Sequence, residues 1–169
     1  MDLLKAITDA DFGGEKIFLP EVMRTASRGI LTDNGGMALM RVGGLKCHKL
    51  PGGGLEAGED PRQAFIREVR EETGYVSEIT GELGYVDEHK SKSSFYQRSY
   101  CYVGKALFES GQELTQNERN LDFGLEWVTA EEAERLLAGY AKSFEEYTIR
   151  FMLLRDLTIV REAMRLGEV

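Results

Sequence analysis

Residues 53 to 75 read GGLEAGEDPRQAFIREVREETGY, and this stretch decides how the rest of the chain is understood. Pro61 suits the first turn of a helix, where its missing N–H would have had no partner. Asp60 before it is an N-cap residue, and Gly74 is placed to end the helix in a left-handed conformation. At about 100° per residue, Glu68, Glu71 and Glu72 fall within an arc of roughly 100°. Phe65, Ile66, Val69 and Thr73 occupy the neighbouring arc, which is expected to bury against a sheet.

Three neighbouring carboxylates repel one another unless a cation lies among them. A hard divalent ion such as Mg²⁺ takes oxygen ligands, keeps some waters, and shares its shell with substrate phosphates. Arg67 is placed to brace the carboxylates by charge-assisted hydrogen bonds. A plain solvated helix face would also carry glutamates, with Arg67–Glu71 as an ordinary i,i+4 pair. Against that stands the preceding run Leu50-Pro51-Gly52-Gly53-Gly54. Consecutive glycines weaken any regular element, so they suggest a backbone that turns tightly and approaches something. Their N–H groups and carbonyls can serve phosphate oxygens and a metal respectively.

The segment resembles the Nudix box, G-x5-E-x7-R-E-U-x-E-E-x-G-U, in which U is a bulky aliphatic residue. Gly53, Glu59, Arg67, Glu68, Val69, Glu71, Glu72 and Gly74 match, while Tyr75 is aromatic where an aliphatic is usual. The resemblance implies an α/β/α sandwich around a mixed β-sheet, and hydrolysis of a diphosphate linkage with Mg²⁺ or Mn²⁺ as cofactor. It assigns metal-binding and base roles to Glu68, Glu71 and Glu72, and a main-chain ligand to the Gly52 carbonyl. Glu59 and Arg67 become supports, with Gly53 and Gly54 facing the phosphates. Many members draw a further acid from the loop before the last strand. Here Glu113, Glu118, Asp122 and Glu126 are available, and Glu118 is the first choice as base or extra ligand, Asp122 the second.

Composition sets limits. A chain of 169 residues is read as one domain with a sizeable core, opening with a short arm over 1–20. A net charge of −8 argues against a nucleic-acid polymer as partner. Cys47 and Cys101 stand far apart with no CxxC, so neither a disulfide framework nor structural zinc is expected. The first residues lack a basic segment followed by an apolar one, and no apolar run reaches membrane-spanning length. The expectation is a cytoplasmic protein without a membrane partner, and the resemblance admits a homodimer.

Along the chain, Met1 to Ala10 reads as a short helix or ordered arm. Val22 to Leu31 and Met37 to Val42 read as strands joined by the hairpin turn Asp33-Asn34-Gly35-Gly36. Leu45 to Leu50 is a short strand entering the glycines. Tyr75 to Glu88 reads as one or two strands broken near Gly81 and Gly84, followed by strands Phe95–Phe108 and Leu125–Val128. Thr129 to Glu132 carries a capping-box pattern. The stretch 145–165 shows a helical stripe of Ile149, Met152, Leu153, Leu157, Val160 and Met164.

Tyr96, Arg98, Tyr100 and Tyr102 alternate onto one strand face. They read equally as a platform that stacks a nucleobase and pairs a phosphate, with Tyr96 and Arg98 in contact, or as half-buried sheet surface. Arg24, Arg28, Lys46 and Lys49 read as ordinary surface charge before phosphate contacts near the glycine loop, His48 and His89 as solvent-facing or structural, and Trp127 as core or loop support. The expected substrate is a nucleoside diphosphate derivative or another small nucleotide. Two further readings stay open: a nucleotide-binding regulatory module without catalysis, and an isomerase using Cys47.

Overall fold

The box helix forms where its caps place it. In the computed structural model, which describes all residues Met1–Val169, α1 spans Pro61–Thr73. The Asp60 carboxylate accepts from the Arg62 and Gln63 N–H groups, Gln63 returns the bond, and Gly74 closes the helix at φ +80°. These contacts satisfy backbone groups that a helix otherwise leaves unpaired at its ends.

Eight strands form one mixed sheet: β1 Leu3–Ile7, β2 Arg24–Asp33, β3 Gly36–Val42, β4 Cys47–Lys49, β5 Gly52–Gly54, β6 Tyr75–Lys90, β7 Phe95–Glu109 and β8 Phe123–Val128. The order is β1-β6-β7-β2-β3-β4, with β5 also on β2 and β8 also on β3. The pairs β1–β6 and β2–β7 are parallel and the others antiparallel. Three further helices follow: α2 Gln116–Asn120, α3 Ala130–Ser143 and α4 Tyr147–Leu166.

Alternation along the strands divides the core in two. Ile30, Leu39, Cys101 and Val103 face a large cluster with Leu137 of α3 and Phe151, Leu153 and Val160 of α4. Leu31, Ala38, Tyr102 and Ala106 face Phe65 and Val69 of α1. One helix thus covers one face of the sheet and two cover the other, the expected sandwich.

Several local expectations sharpen. The β2–β3 hairpin closes through Asn34 and Gly35, both at positive φ, in the manner of a two-residue primed turn. β6 runs unbroken, and the expected breaks near Gly81 and Gly84 are register shifts against β7. Residues 3–7 are a strand rather than a helix, because β6 offers them an open edge beyond β7. Ile66, expected in the core, is 39% exposed; the sheet contact of α1 is narrower than its apolar arc. Tyr75 fills its aliphatic position by setting its ring edge-on to Trp127. Thr129 caps α3 by accepting from the Glu132 N–H, but Glu132 itself pairs with Arg135. No helix is long and apolar enough to cross a membrane.

Phe65 is fully buried, with its ring 5.5 Å from that of Tyr102. Phe65→Ala is expected to lower the unfolding free energy by about 3–5 kcal/mol. A urea titration checks this, and a loss under about 1 kcal/mol would mean that α1 is held mainly by its polar ties.

Candidate active site

The glycine run meets the box helix first at Gly52. The Gly52 N–H donates to Glu72 Oε2 at 2.9 Å, and Glu72 Oε1 accepts from Lys49 Nζ at 2.6 Å. The Gly52 carbonyl accepts from Arg28 at 2.5 Å and from Lys49 at 3.4 Å. Gly52 sits at φ +135°, where a Cβ would fall 2.3 Å from the Ser27 carbonyl oxygen, so only glycine fits there. A Cβ on Gly53 would fall 2.3 Å from Glu68 Oε1. The second glycine is therefore what lets the Glu68 carboxylate lie against the backbone.

Arg67 binds the other side of the turn. Its guanidinium donates to both oxygens of Glu59, to Glu68, to Glu71 and to the Gly54 carbonyl, at 2.8 to 3.1 Å. Hydrogen bonding to Glu59 is the main reason that Arg67 is held far above its ordinary pKa, and the same contact depresses Glu59. Glu68 goes the other way. Burial, then the charge of neighbouring Glu72, raise its pKa against the pull of Arg67.

The site therefore offers hard oxygen donors, Glu68, Glu72 and the Gly52 carbonyl, with two carboxylates crowded in a half-dry place. That donor set fits Mg²⁺ or Mn²⁺. As arranged here, no three His, Cys, Asp or Glu side chains gather closely enough to hold a metal ion. Lys49 and Arg67 hold the carboxylates instead.

A family model, the NUDIX domain, matches residues 23–150. The chain belongs to the NUDIX family. Over 34 residues it is 59% identical to a protein of Caenorhabditis elegans named as nudix hydrolase 2, a stretch covering 20% of this chain and only 15% of that relative. Three solved structures share the fold. A NUDIX hydrolase from Nitrosomonas europaea is 20% identical, with a TM-score of 0.56 over 68% of this chain and 78% of its own. A UDP-X diphosphatase is 16% identical, with a TM-score of 0.59 over 95% and 70%. An ADP-ribose pyrophosphatase from Streptococcus suis is 14% identical, with a TM-score of 0.55 over 84% and 92%.

Other candidate residues of this NUDIX domain lie apart from the turn or serve a structural tie. Glu118, on α2, accepts from both the N–H and the hydroxyl of Thr115. Asp122 pairs with Arg41, and Glu126 with His48 and Arg41. Glu113 pairs with Arg70. Its N–H and the Gln112 side chain take the carbonyls of Glu71 and Glu72, so this loop fastens the end of α1. Tyr96 is buried, and its hydroxyl donates to Asp87, on which Arg98 makes a two-pronged pair at 2.8 and 2.9 Å. Tyr102 is buried beneath Phe65, while Arg98 and Tyr100 are half-buried, so the aromatic strand face is closed at its two ends and partly open between them. His89 is buried against Tyr96, and His48 bonds to Tyr140 and Glu126; both are structural. Cys47 is buried and its thiol is pushed up to about 11, by burial first and Asp156 second, so it is no ready nucleophile.

Arg28 and Lys49, expected as surface charges, are buried. Lys49 pairs with Glu72, while Arg28 lies in the field of Arg155, Asp156 and Glu88, none of which the sequence pattern had singled out. Asp156 of α4, fully buried, accepts from the Leu50 N–H at 2.9 Å and from Arg155 at 2.8 Å. Arg155 pairs in turn with buried Glu88, which also holds Lys90 and Gln97. One signal was available: Asp156 falls at i+3 from Leu153 and one residue before Leu157, on the apolar stripe itself, where a charge needs a buried partner.

Two outcomes follow from this support. Burial alone would raise the pKa of Glu88, but Arg155, Lys90 and Arg28 outweigh it and the net shift is downward. The unfolded chain then binds the proton more readily, so this stability is present at neutral pH and lost as pH falls through the lowered folded pKa. Glu88→Gln is expected to cost about 3–5 kcal/mol at pH 7, with the gap to the parent narrowing in acid; a pH-independent gap in urea titrations would count against it. Asp156→Asn is expected to speed hydrogen exchange at the Leu50 amide, read by NMR, while unchanged exchange would detach α4 from the glycine loop.

Proposed function

We propose that this protein is a divalent-cation-dependent hydrolase that cleaves the diphosphate linkage of a nucleoside diphosphate derivative or related small nucleotide. The observation that carries the reading is the Gly52–Glu72 tie, which sets Glu72 and Glu68 beside a glycine backbone turn. The named activities of the UDP-X diphosphatase and the ADP-ribose pyrophosphatase, which share the fold, support the substrate class.

Glu68, Glu72 and the Gly52 carbonyl would hold the cation, with Glu71 at the rim of the same face. When bound, the cation offsets phosphate charge and acidifies a nearby water. Gly53 and Gly54 keep side chains away from the path by which phosphates approach. Arg24, whose guanidinium stands beside Gly54, is the cation available to the phosphate outside the box.

Glu68 is assigned as the group that takes the proton from the attacking water, since its carboxylate lies against the Gly53 backbone and Arg67 fixes its direction. Oxygen from water then bonds to phosphorus, the bridging P–O bond breaks, and the leaving phosphate departs with the bridging oxygen. Glu118, the loop acid expected to act as base, has its carboxylate spent on Thr115, so it ranks second.

The test is release of phosphate or nucleoside monophosphate from a panel of nucleoside diphosphate derivatives, with and without Mg²⁺ or Mn²⁺. Turnover should require the cation, and Glu68→Gln should lower kcat/KM by about a hundredfold or more. Absence of turnover together with tight cation-dependent nucleotide binding would replace catalysis with the regulatory module.

A further inference from the structure

Lys49 stands at two of the three donors that would hold a divalent ion. Its ammonium is 2.6 Å from Glu72 Oε1 and 3.4 Å from the Gly52 carbonyl oxygen. Both are the donors named above for the cation, so the inference rests on that reading. The lysine is no passing surface group: its side chain is one-tenth exposed, that of Glu72 is 3% exposed, and its stem leaves β4 three residues before Gly52. The Phe123 ring lies 5.2 Å from Nζ, a second and weaker seat for the ammonium.

Geometry and charge together limit the occupants. Glu72 Oε1 cannot hold the Lys49 ammonium and a divalent ion at bonding distance together, because like charges so close in a half-dry site repel strongly. Arg28 already takes one lone-pair direction of that carbonyl. We propose that Lys49 is a tethered competitor of the divalent ion: its ammonium holds Glu72 and the Gly52 carbonyl, and the metal enters by displacing it.

The arrangement has two consequences. Lys49 keeps buried Glu72 compensated, which preserves the Gly52 tie and the shape of the turn. It also scales apparent metal affinity down to the fraction of molecules in which the ammonium has left the position. The freed ammonium then has the Phe123 ring and the substrate phosphates as its remaining partners, so metal and lysine end on different acceptors.

The experiment is Mn²⁺ binding without substrate, followed by the electron paramagnetic resonance signal of the free ion. Lys49→Gln is expected to bind Mn²⁺ about tenfold more tightly than the parent, and Lys49→Arg to stay near the parent. Lys46→Gln, which removes a nearby exposed charge, should change nothing. Affinity unchanged or weakened in Lys49→Gln, or equally tightened in Lys46→Gln, overturns the proposal. Glu72→Gln separates the two readings. If parent and Lys49→Gln bind Mn²⁺ alike and Glu72→Gln does not, the cation site stands and the lysine competitor falls. If none of these proteins binds Mn²⁺, both fall. Should Lys49→Gln fail to fold, the parent itself gives the answer. Amine labelling of Lys49, quantified by peptide mass spectrometry, should rise several-fold with saturating Mg²⁺ relative to the other lysines, and an unchanged rate overturns the proposal.

Discussion

The backbone N–H and carbonyl of Gly52 are both gripped by side chains from other elements, and the geometry of the site depends on that grip. Glu72 takes its N–H and Arg28 and Lys49 take its carbonyl. A glycine backbone has more freedom to lose than any other, so three glycines in succession would not hold one shape unaided. Here the turn is fixed because a helix, an inner strand and a short edge strand each supply one contact. Arg67 repeats the arrangement on the far side, tying Glu59 and the Gly54 carbonyl to the helix.

That grip requires charge inside the protein. Arg28, Lys49, Glu72, Glu88, Arg155 and Asp156 are all buried, and isolated burial of any one of them would be costly. They are tolerable because Glu72 pairs with Lys49 beside the loop, Arg155 pairs with Asp156 and Glu88 beneath it, and Arg28 feels the carboxylates of both groups. The pairing is incomplete, since Arg28 Nε and Arg155 Nη2 have no hydrogen-bond partner. Such a network adds little net stability compared with apolar packing. Its effect is directional, because α4 reaches through Asp156 to the Leu50 N–H and thereby fixes where the glycine turn begins.

Much of this was legible in local patterns. Asp60, Pro61 and Gly74 act within a few residues of themselves, so the bounds of α1 could be read directly. Asn34-Gly35 sets a hairpin by its own backbone preference. The spacing of Gly53, Glu59, Arg67, Glu68 and Glu72 was readable because these contacts lie on one helix and the loop before it. The aromatic strand face was less readable. Period-two alternation says that Tyr96, Arg98 and Tyr102 share a face, but not that Asp87 and Phe65 occupy it.

The sequence by itself determined the α/β class, the box helix with its caps, the glycine turn and the identity of the acidic residues, since each follows from preferences acting over a few residues. Only the tertiary structure decided which charges are inside. Lys49 and Arg28 look like surface residues until β4 and β2 lie beneath α4, and Asp156 becomes a partner of Leu50 only when 106 residues of chain have folded back. The physical reason is that a side chain's electrostatic role depends on burial and on partners distant in sequence, and local spacing encodes neither.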